Sequence, residues 1–281
     1  MVPPSINLII YGLLTDTSVP ELYLAGIFPG ISLALLFMVV IVVTCWWRPS
    51  FDGDPMHTSW ESRIRVLPDL LPPVLLFMAV VGSIYAGIAT PTEAASIGVC
   101  FALGIATWNK ALNVEMLKEA FEGTMRSTAM IMLIILAAVF LNFVLGFMGV
   151  TQTILEAIKE LGWTPMETML VIIVFYLLLG MFMETLSMML TTIPVVFPIV
   201  VHMGFDPVWF GIMITVLMEA ALITPPIGIN LYVVHGIRAR GGNFNDVSVG
   251  AIPFLFAMLF LIAFLLMFPG LAVWLPDLVY H

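Results

Sequence analysis

The segment TPPIGINLYVVHG, residues 224–236, places two consecutive prolines inside an otherwise apolar stretch. A similar segment, VPPSINLIIYG, occupies residues 2–12. Each is followed by a polar patch and then by a long apolar stretch, which opens with GIFP at 26–29 or with GAIP at 250–253. Because proline has no backbone N–H and its ring clashes with the preceding turn, we predict that a helix breaks at each Pro-Pro pair. The chain therefore contains two related broken helices.

The composition indicates a membrane as the surroundings of this chain. Of the 281 residues, 62% are hydrophobic and 10% are charged, and the mean hydropathy is +1.13. A soluble core cannot absorb so much apolar sequence, whereas a bilayer can. The formal net charge of −9 argues against a nucleic-acid-binding protein, which needs basic patches to contact phosphates. We therefore predict an all-α polytopic membrane protein.

Several apolar stretches are long enough to cross a bilayer as helices. They are 24–47, 68–88, 91–108, 127–147 and 250–275. Two further regions are long but interrupted. Region 166–203 contains Gly180 and the polar pair Glu184-Thr185 between two apolar arms, and region 206–237 contains the Thr-Pro-Pro sequence that starts at Thr224.

Basic residues in short loops mark the cytoplasmic side of a membrane protein. The chain has nine of them: Arg48, Arg63, Arg65, Lys110, Lys118, Arg126, Lys159, Arg238 and Arg240. If region 166–203 crosses the membrane once, the last two lie outside. If it returns on the side where it entered, as a re-entrant hairpin, eight of the nine lie in the cytoplasm and Lys159 alone lies outside. We adopt the hairpin interpretation, which predicts a periplasmic C-terminus at His281.

This topology makes the two Pro-Pro segments an inverted repeat, since the helix after Pro4 runs outward and the helix after Pro226 runs inward. Inverted repeats with broken helices are a recurring architecture of secondary transporters. We predict the end of a first repeat in 1–47, with a broken helix at 2–14, a cytoplasmic connector in 48–67, and a second repeat in 68–275 that includes an interfacial helix at 151–161.

The opened backbone at a Pro-Pro pair exposes groups that can bind ions. Free carbonyl oxygens together with a hydroxyl, such as that of Thr224 or Ser5, suit a weakly held monovalent cation, and helix N-termini suit a carboxylate. Gly228 allows backbone or ligand to approach closely. The alternative is a proline kink that only shapes packing. Two matched copies, each next to a small polar residue, favour the ion site.

The hairpin turn at 180–185 contains Glu184, the one acid deep in that region. A carboxylate at membrane depth is expensive to bury and is a candidate for function, although it can also simply cap the second arm. Other polar residues with either a substrate-binding or a structural role are Asn7, Thr185, Glu219 and Asn230. Glu219, about one turn before the Thr224 break, either balances the charge of a bound ion or pairs structurally.

Other polar groups have local explanations. Thr90, Pro91 and Glu93 are predicted to start a helix as N-cap, first helical residue and capping-box acid. Cys45 and Cys100 lie far apart in apolar runs and imply no disulfide. The four histidines lack metal-ligand spacing, so we assign no transition-metal site.

Four stretches together resemble the large membrane subunit, DctM, of tripartite ATP-independent periplasmic (TRAP) transporters. They are Pro3 to Gly12, Gly87 to Ala95 with its Thr-Pro-Thr-Glu-Ala core, Gly180 to Pro198, and Met218 to Val233. The last stretch, with LITPPIGINL at 222–231, is highly specific. The resemblance runs along the chain from Pro3 to about Pro269.

The resemblance implies the transport core of a sodium-driven importer of organic acids, such as a C4-dicarboxylate, and not an enzyme. It implies an elevator mechanism of the ion-transporter superfamily, in which hairpins and broken helices move as one block. Sodium is the implied coupling ion, with no other cofactor. The implied partners are a small DctQ-like membrane subunit and a periplasmic DctP-like binding protein, and the implied location is the bacterial inner membrane.

Site residues are carried over from the family by motif. The second sodium site comprises Gly180, Glu184, Thr224, Pro225, Pro226 and Gly228, and the first comprises Pro3, Pro4 and Ser5. The family's first hairpin should precede the Pro-Pro-Ser segment. The resemblance therefore implies that the first repeat and its cation site are incomplete, and that this chain corresponds to the C-terminal two-thirds of a subunit.

Three alternative functions would each make different use of these residues. A proton-coupled carrier or antiporter of the same fold would use Glu184 as the proton acceptor. A non-transporting fragment of such a subunit is the second alternative. An intramembrane hydrolase would need paired acids, a Ser–His pair or an HExxH helix within the spans, and the sequence has none of these.

Overall fold

The computed structural model describes residues 5–47, 59–237 and 243–280, and these residues form helices without a strand. The first helices are α1 (Ile6–Thr15), α2 (Val19–Trp47), α3 (Trp60–Val66), a short 3-10 helix (Leu67–Leu70), α4 (Leu71–Tyr85), α5 (Pro91–Trp108) and α6 (Val114–Phe147). They are followed by α7 (Val150–Leu161), α8 (Pro165–Leu179), α9 (Thr185–His202), α10 (Pro207–Leu222), α11 (Ile229–Ile237), α12 (Phe244–Met267) and α13 (Gly270–Tyr280). The predicted all-α class is confirmed. Pro3, Pro4, Arg48, Arg238, Arg240 and His281, which carried predictions, lie outside the described residues.

Spatial contacts divide the chain into two compact units. Met1–Val43 and Leu133–His281 form the first unit, and Thr44–Met132 form the second. The division falls within α2 and α6. It rests on contacts and not on sequence similarity, so the predicted repeat boundaries stay a prediction.

The central helix of the first unit is α10. It packs against α1, α8, α9, α11, α12 and α13, and fourteen of its sixteen residues are buried. A helix that is apolar on every side suits this position because it has no polar face to leave in water. Trp209 anchors α10 to α12, since its indole N–H donates to the Leu265 carbonyl at 3.0 Å.

In the second unit, α4 and α5 pack against each other. A Cβ atom at Gly98 of α5 would lie 3.1 Å from a Val80 methyl group, so the glycine permits close packing of the two helices. The capping box predicted at Thr90 and Glu93 is confirmed. The Thr90 N–H donates to the Glu93 carboxylate at 2.8 Å, and the Glu93 N–H donates to the Thr90 hydroxyl at 3.4 Å.

Many of the large apolar side chains of α2, α4 and α6 are exposed. Of the 34 residues of α6, all of them described, only Ala138 is buried. Among the described residues, five helical stretches have the length and apolar composition to cross a membrane: Val19–Trp47, Ile64–Tyr85, Val114–Phe147, Thr185–His202 and Phe244–Met267. Exposed apolar helices of this length are expected in a bilayer, where lipid covers them.

The helices differ from the predicted spans at several places. The helix that contains the predicted span 127–147 starts earlier, at Val114, and its first turns are polar and charged. The predicted span 91–108 coincides with α5, but α5 is not among the five stretches above, because polar residues near its start lower its hydropathy.

The predicted span 250–275 is divided between two helices. α12 ends at Met267 and α13 begins at Gly270. Phe268 leaves the helical region, with φ −131° and ψ 69°. The reason is Pro269, because a proline disfavours helical backbone in the residue before it.

Candidate ion-binding site

The break after α10 deprives backbone carbonyl oxygens of the partners that a continuing helix would supply. α10 ends at Leu222 and α11 begins at Ile229, so the helix opens where the Pro-Pro pair predicts. A continuing helix would use the N–H of residue 226 to bond the Leu222 carbonyl, and Pro226 has none. Among the described residues, no hydrogen bond ends on the carbonyl oxygens of Leu222 and Thr224. These oxygens are available to a cation.

The side chain of Thr224 adds a hydroxyl to the break. It is partly buried and donates to the Ala220 carbonyl at 2.9 Å. The Thr224 N–H donates to the Ala221 carbonyl at 3.1 Å. Because its proton is used in the bond to Ala220, the hydroxyl oxygen keeps its remaining lone pairs for a positively charged ligand.

Gly228 lies close to the same two carbonyl groups. Its φ is +37°, and a Cβ atom there would lie 2.8 Å from the Leu222 oxygen and 3.1 Å from the Thr224 oxygen. Glycine alone combines this backbone conformation with the space that the two oxygens require. The result is a tight loop that holds free carbonyl oxygens close to the start of α11.

α8 and α9 form an antiparallel helical hairpin, joined by residues 180–184. Near the turn, the hydroxyl groups of Tyr176 in α8 and Thr192 in α9 lie 2.6 Å apart and hydrogen-bond. Farther from the turn, Thr168 of α8 and Ile199 of α9 line one cavity together with residues of α7. Region 166–203 thus consists of two antiparallel helices joined by a turn, and its re-entrance stays a prediction.

The turn of the hairpin docks on the end of α10. Gly180 lies so close to Ala221 that a Cβ atom at Gly180 would clash with the Ala221 side chain and backbone. Ala221 precedes Thr224 by three residues. The structure thus brings the hairpin turn close to the end of α10.

Glu184 acts as the N-cap of α9. Its exposed carboxylate accepts hydrogen bonds from the N–H groups of Leu186 at 3.0 Å and Ser187 at 3.2 Å. The adjacent Thr185 is buried, with 5% of its surface exposed. The capping role considered for Glu184 is thus present in the structure.

Asn7 and Glu219, which were predicted to have either a structural or a ligand-binding role, contact each other. The Asn7 side-chain amide donates to Glu219 Oε1 at 3.2 Å. This contact arises because α1 packs against both α9 and α10. Ser5 lies two residues before Asn7, at the start of α1, and Asn230 is exposed near the start of α11.

A cation at the break would depend on backbone and hydroxyl oxygens. Within the part of the chain that is described, no group of three or more His, Cys, Asp or Glu side chains could hold a metal ion. Rings of carbonyl oxygens replace the hydration shell of weakly bound monovalent cations. The Thr224 break has donors of this kind.

Two further contacts in the first unit were not predicted. The Asn142 side chain in α6 donates to the Leu190 carbonyl at 3.0 Å. That carbonyl lacks its helical partner because Pro194, four residues later in α9, has no N–H. The Tyr11 hydroxyl in α1 donates to the Pro207 carbonyl at 2.6 Å. A single Asn in an apolar helix was the one available signal for the first contact.

A broken helix and a docked helical hairpin, among apolar helices long enough to span a bilayer, are the architecture of a multi-pass membrane protein. Residues 1–271 match the family model described as the DctM component of the tripartite ATP-independent periplasmic transporters. The chain belongs to this family. The family is a transporter membrane subunit and not an enzyme.

Several relatives align with nearly the whole chain. The C4-dicarboxylate TRAP transporter large permease protein DctM of Rhodobacter capsulatus is 32% identical over 295 residues, which cover 99% of this chain and 66% of the relative. The sialic acid permease SiaM of Vibrio cholerae is 30% identical, over 99% of this chain and 64% of the relative. The ectoine permease TeaC of Halomonas elongata is 31% identical, over 100% of this chain and 65% of the relative. The chain thus spans about two thirds of the length of these relatives.

Proposed function

We propose that this chain forms the cation-binding part of the transport core of a sodium-driven importer of organic acids. The observation that carries the proposal is the Thr224 break, where free carbonyl oxygens and a hydroxyl oxygen lie beside the docked hairpin turn. The second sodium site would comprise Gly180, Glu184, Thr224, Pro225, Pro226 and Gly228. The first would include Pro3, Pro4 and Ser5.

The proposed transport mechanism is an elevator motion of two inverted repeats. Support comes from the matched Pro-Pro segments, the antiparallel hairpin and the basic loops. In this proposal region 166–203 is re-entrant and the C-terminus is periplasmic. The protein lies in the inner membrane beside a small DctQ-like subunit, and a periplasmic binding protein delivers the substrate.

The proposed substrate class is an organic compound with a carboxylate group. The names of the relatives specify C4-dicarboxylates, sialic acid and ectoine, and each of these compounds carries at least one carboxylate. Their variety supports the class and not one member of it. A helix N-terminus at the break offers the N–H groups that a carboxylate prefers.

The proton-coupled alternative would place the proton on Glu184. Both carboxylate oxygens of Glu184 already accept hydrogen bonds from the first turn of α9. That side chain therefore has a structural task in the hairpin. The carbonyl and hydroxyl oxygens at Thr224 suit a cation directly, which favours sodium as the coupling ion.

The experiment that tests this proposal is sodium-dependent thermal stabilisation of the purified chain in lipid nanodiscs. Sodium is compared with choline at equal ionic strength. We expect sodium to raise the unfolding temperature in a saturable manner. Thr224→Val, which removes the hydroxyl with little change in shape, should raise the half-saturating sodium concentration about tenfold, which corresponds to the loss of one hydrogen-bond-strength contact.

Thr215→Val is the matched control. Thr215 lies in the same helix, is fully buried, and its hydroxyl donates to the Gly211 carbonyl at 2.8 Å, as that of Thr224 does to Ala220. Its substitution should lower stability without changing the half-saturating sodium concentration. Equal sodium affinity in the Thr224 variant and the unsubstituted chain would remove Thr224 from the site. The absence of any sodium-specific stabilisation would contradict the site itself.

A further inference from the structure

Glu219 is an exception in a buried apolar helix. Every residue of α10 is buried except Glu219 and Pro207, which starts the helix. Glu219 is half-buried and is the one charged residue of α10. An ionisable side chain within an apolar helix of a membrane protein needs a partner. The hydrogen bond from the Asn7 amide at 3.2 Å supplies it.

This partner lies at the start of a helix that has no side-chain cap. Asn7 is the second residue of α1, and Ser5, in extended conformation before it, makes no side-chain hydrogen bond to the first turn. The unpaired N–H groups at a helix start carry a partial positive charge. The negative charge of Glu219, held beside Asn7 by this hydrogen bond, interacts favourably with the partial positive charge.

We propose that Glu219 is the positioning residue that joins the two broken helices. Through Asn7 it holds the start of α1, two residues beyond Ser5, and through α10 it is linked to the Thr224 break five residues later. The contact therefore connects the region of the first cation site with that of the second. This inference rests on the proposed function for the position of the cation.

The end of α10 provides the link between ion binding and this contact. Glu219 accepts the hydrogen bond of the Asn7 amide from a position five residues before Thr224. A cation held by the oxygens of the break restricts the motion of the end of α10, and with it the motion of Glu219. Through the Asn7 contact, α1 then responds to a cation that it does not touch.

An isosteric exchange tests the contact. Asn7→Asp places two carboxylates opposite each other and should break the contact. Adding Glu219→Gln reverses the hydrogen bond, because the amide introduced in α10 now donates to the carboxylate introduced in α1. The double variant also keeps one negative charge at the helix start. Glu156→Gln, at an exposed position of α7, controls for the loss of one acidic residue elsewhere.

Hydrogen exchange by mass spectrometry, in nanodiscs with sodium or choline, reads the two regions separately. In the unsubstituted chain sodium should slow exchange in peptides covering 6–13 and 221–229. Asn7→Asp should abolish the response at 6–13 and speed exchange there about tenfold, the scale of a charge-assisted hydrogen bond. The response at 221–229 should persist. The double variant should restore the response at 6–13.

Each remaining outcome is decisive. An unchanged response at 6–13 in Asn7→Asp overturns the inference, and so does a double variant that fails to restore it while 221–229 still responds. If 221–229 never responds to sodium, the proposed function fails instead. The positioning role is then judged in choline alone, where rapid exchange at 6–13 in Asn7→Asp and its recovery in the double variant support it and their absence overturns it.

Discussion

Glycine occupies the positions where the backbone of the candidate site is most crowded. At Gly228 the constraint is both a left-handed φ of +37° and the nearby carbonyl oxygens of Leu222 and Thr224. At Gly180 the backbone has ordinary helical angles, and the constraint is the contact with Ala221. The two glycines therefore serve different purposes, one shaping the break and the other seating the hairpin on it.

Gly180→Ala should separate the hairpin turn from α10. The added methyl group meets the Ala221 side chain and backbone, neither of which can rotate away. Overpacking of this kind typically lowers stability by about 1–3 kcal/mol. Thermal unfolding of the purified chain should show this loss, together with weaker stabilisation by sodium.

Gly146→Ala is the control for this substitution. A Cβ atom at Gly146, in α6, meets no atom within 4 Å, and alanine favours a helix more than glycine does. This variant should be neutral or slightly more stable. If Gly180→Ala behaves in the same way, the docking of the turn on Ala221 is wrong.

At the scale of elements, prolines inside helices leave carbonyl oxygens that other elements must satisfy. α9 contains Pro194 and Pro198 and still continues to His202. The Leu190 carbonyl, which Pro194 deprives of its helical partner, receives the Asn142 amide from α6. This hydrogen bond attaches the second arm of the hairpin to α6 within the first unit.

Asn142→Leu should loosen the second arm of the hairpin. It leaves the Leu190 carbonyl without a donor, at a cost of about 1–3 kcal/mol. Hydrogen exchange should become faster in peptides around Leu190, and the unfolding temperature should fall.

A second substitution separates the lost hydrogen bond from lost packing. Pro194→Ala restores an N–H that can bond the Leu190 carbonyl within α9. In that background Asn142→Leu should cost much less than in the unsubstituted chain. The same cost in both backgrounds would show that Asn142 stabilises the hairpin by some other contact.

The sequence was most informative where a residue affects the backbone only a few positions away. The Pro-Pro pair predicted the opening after Leu222, and Thr90 with Glu93 predicted a capping box, because both effects involve residues a few positions apart. The contact of Asn7 with Glu219 depends on which faces of α1 and α10 meet, and one sequence does not contain that information. Pro269 also predicts a local end of the helix, but the long apolar run around it favoured one continuous span.

At the scale of the whole molecule, the burial of the helices and the positions of their charged residues both fit a membrane. α10 is buried almost throughout, whereas α6 has a single buried residue, although both helices are strongly apolar. An exposed apolar helix needs lipid or another subunit around it. Its charged first turns, which include Lys118 and Arg126, fit the interface at one membrane surface.

The distribution of basic residues predicts that the hairpin is re-entrant, and cysteine labelling tests this prediction. In a Cys-free background, with Cys45 and Cys100 replaced, single cysteines are introduced by Glu160→Cys before the hairpin and His202→Cys at its end, both exposed positions. If region 166–203 is re-entrant, both cysteines react with a membrane-impermeant maleimide in spheroplasts. Ala111→Cys, in a predicted cytoplasmic loop, should react only after the membrane is permeabilised. Reaction of the first two from opposite sides would mean a single crossing, which reverses the direction of the helix after Pro226 and removes the inverted repeat.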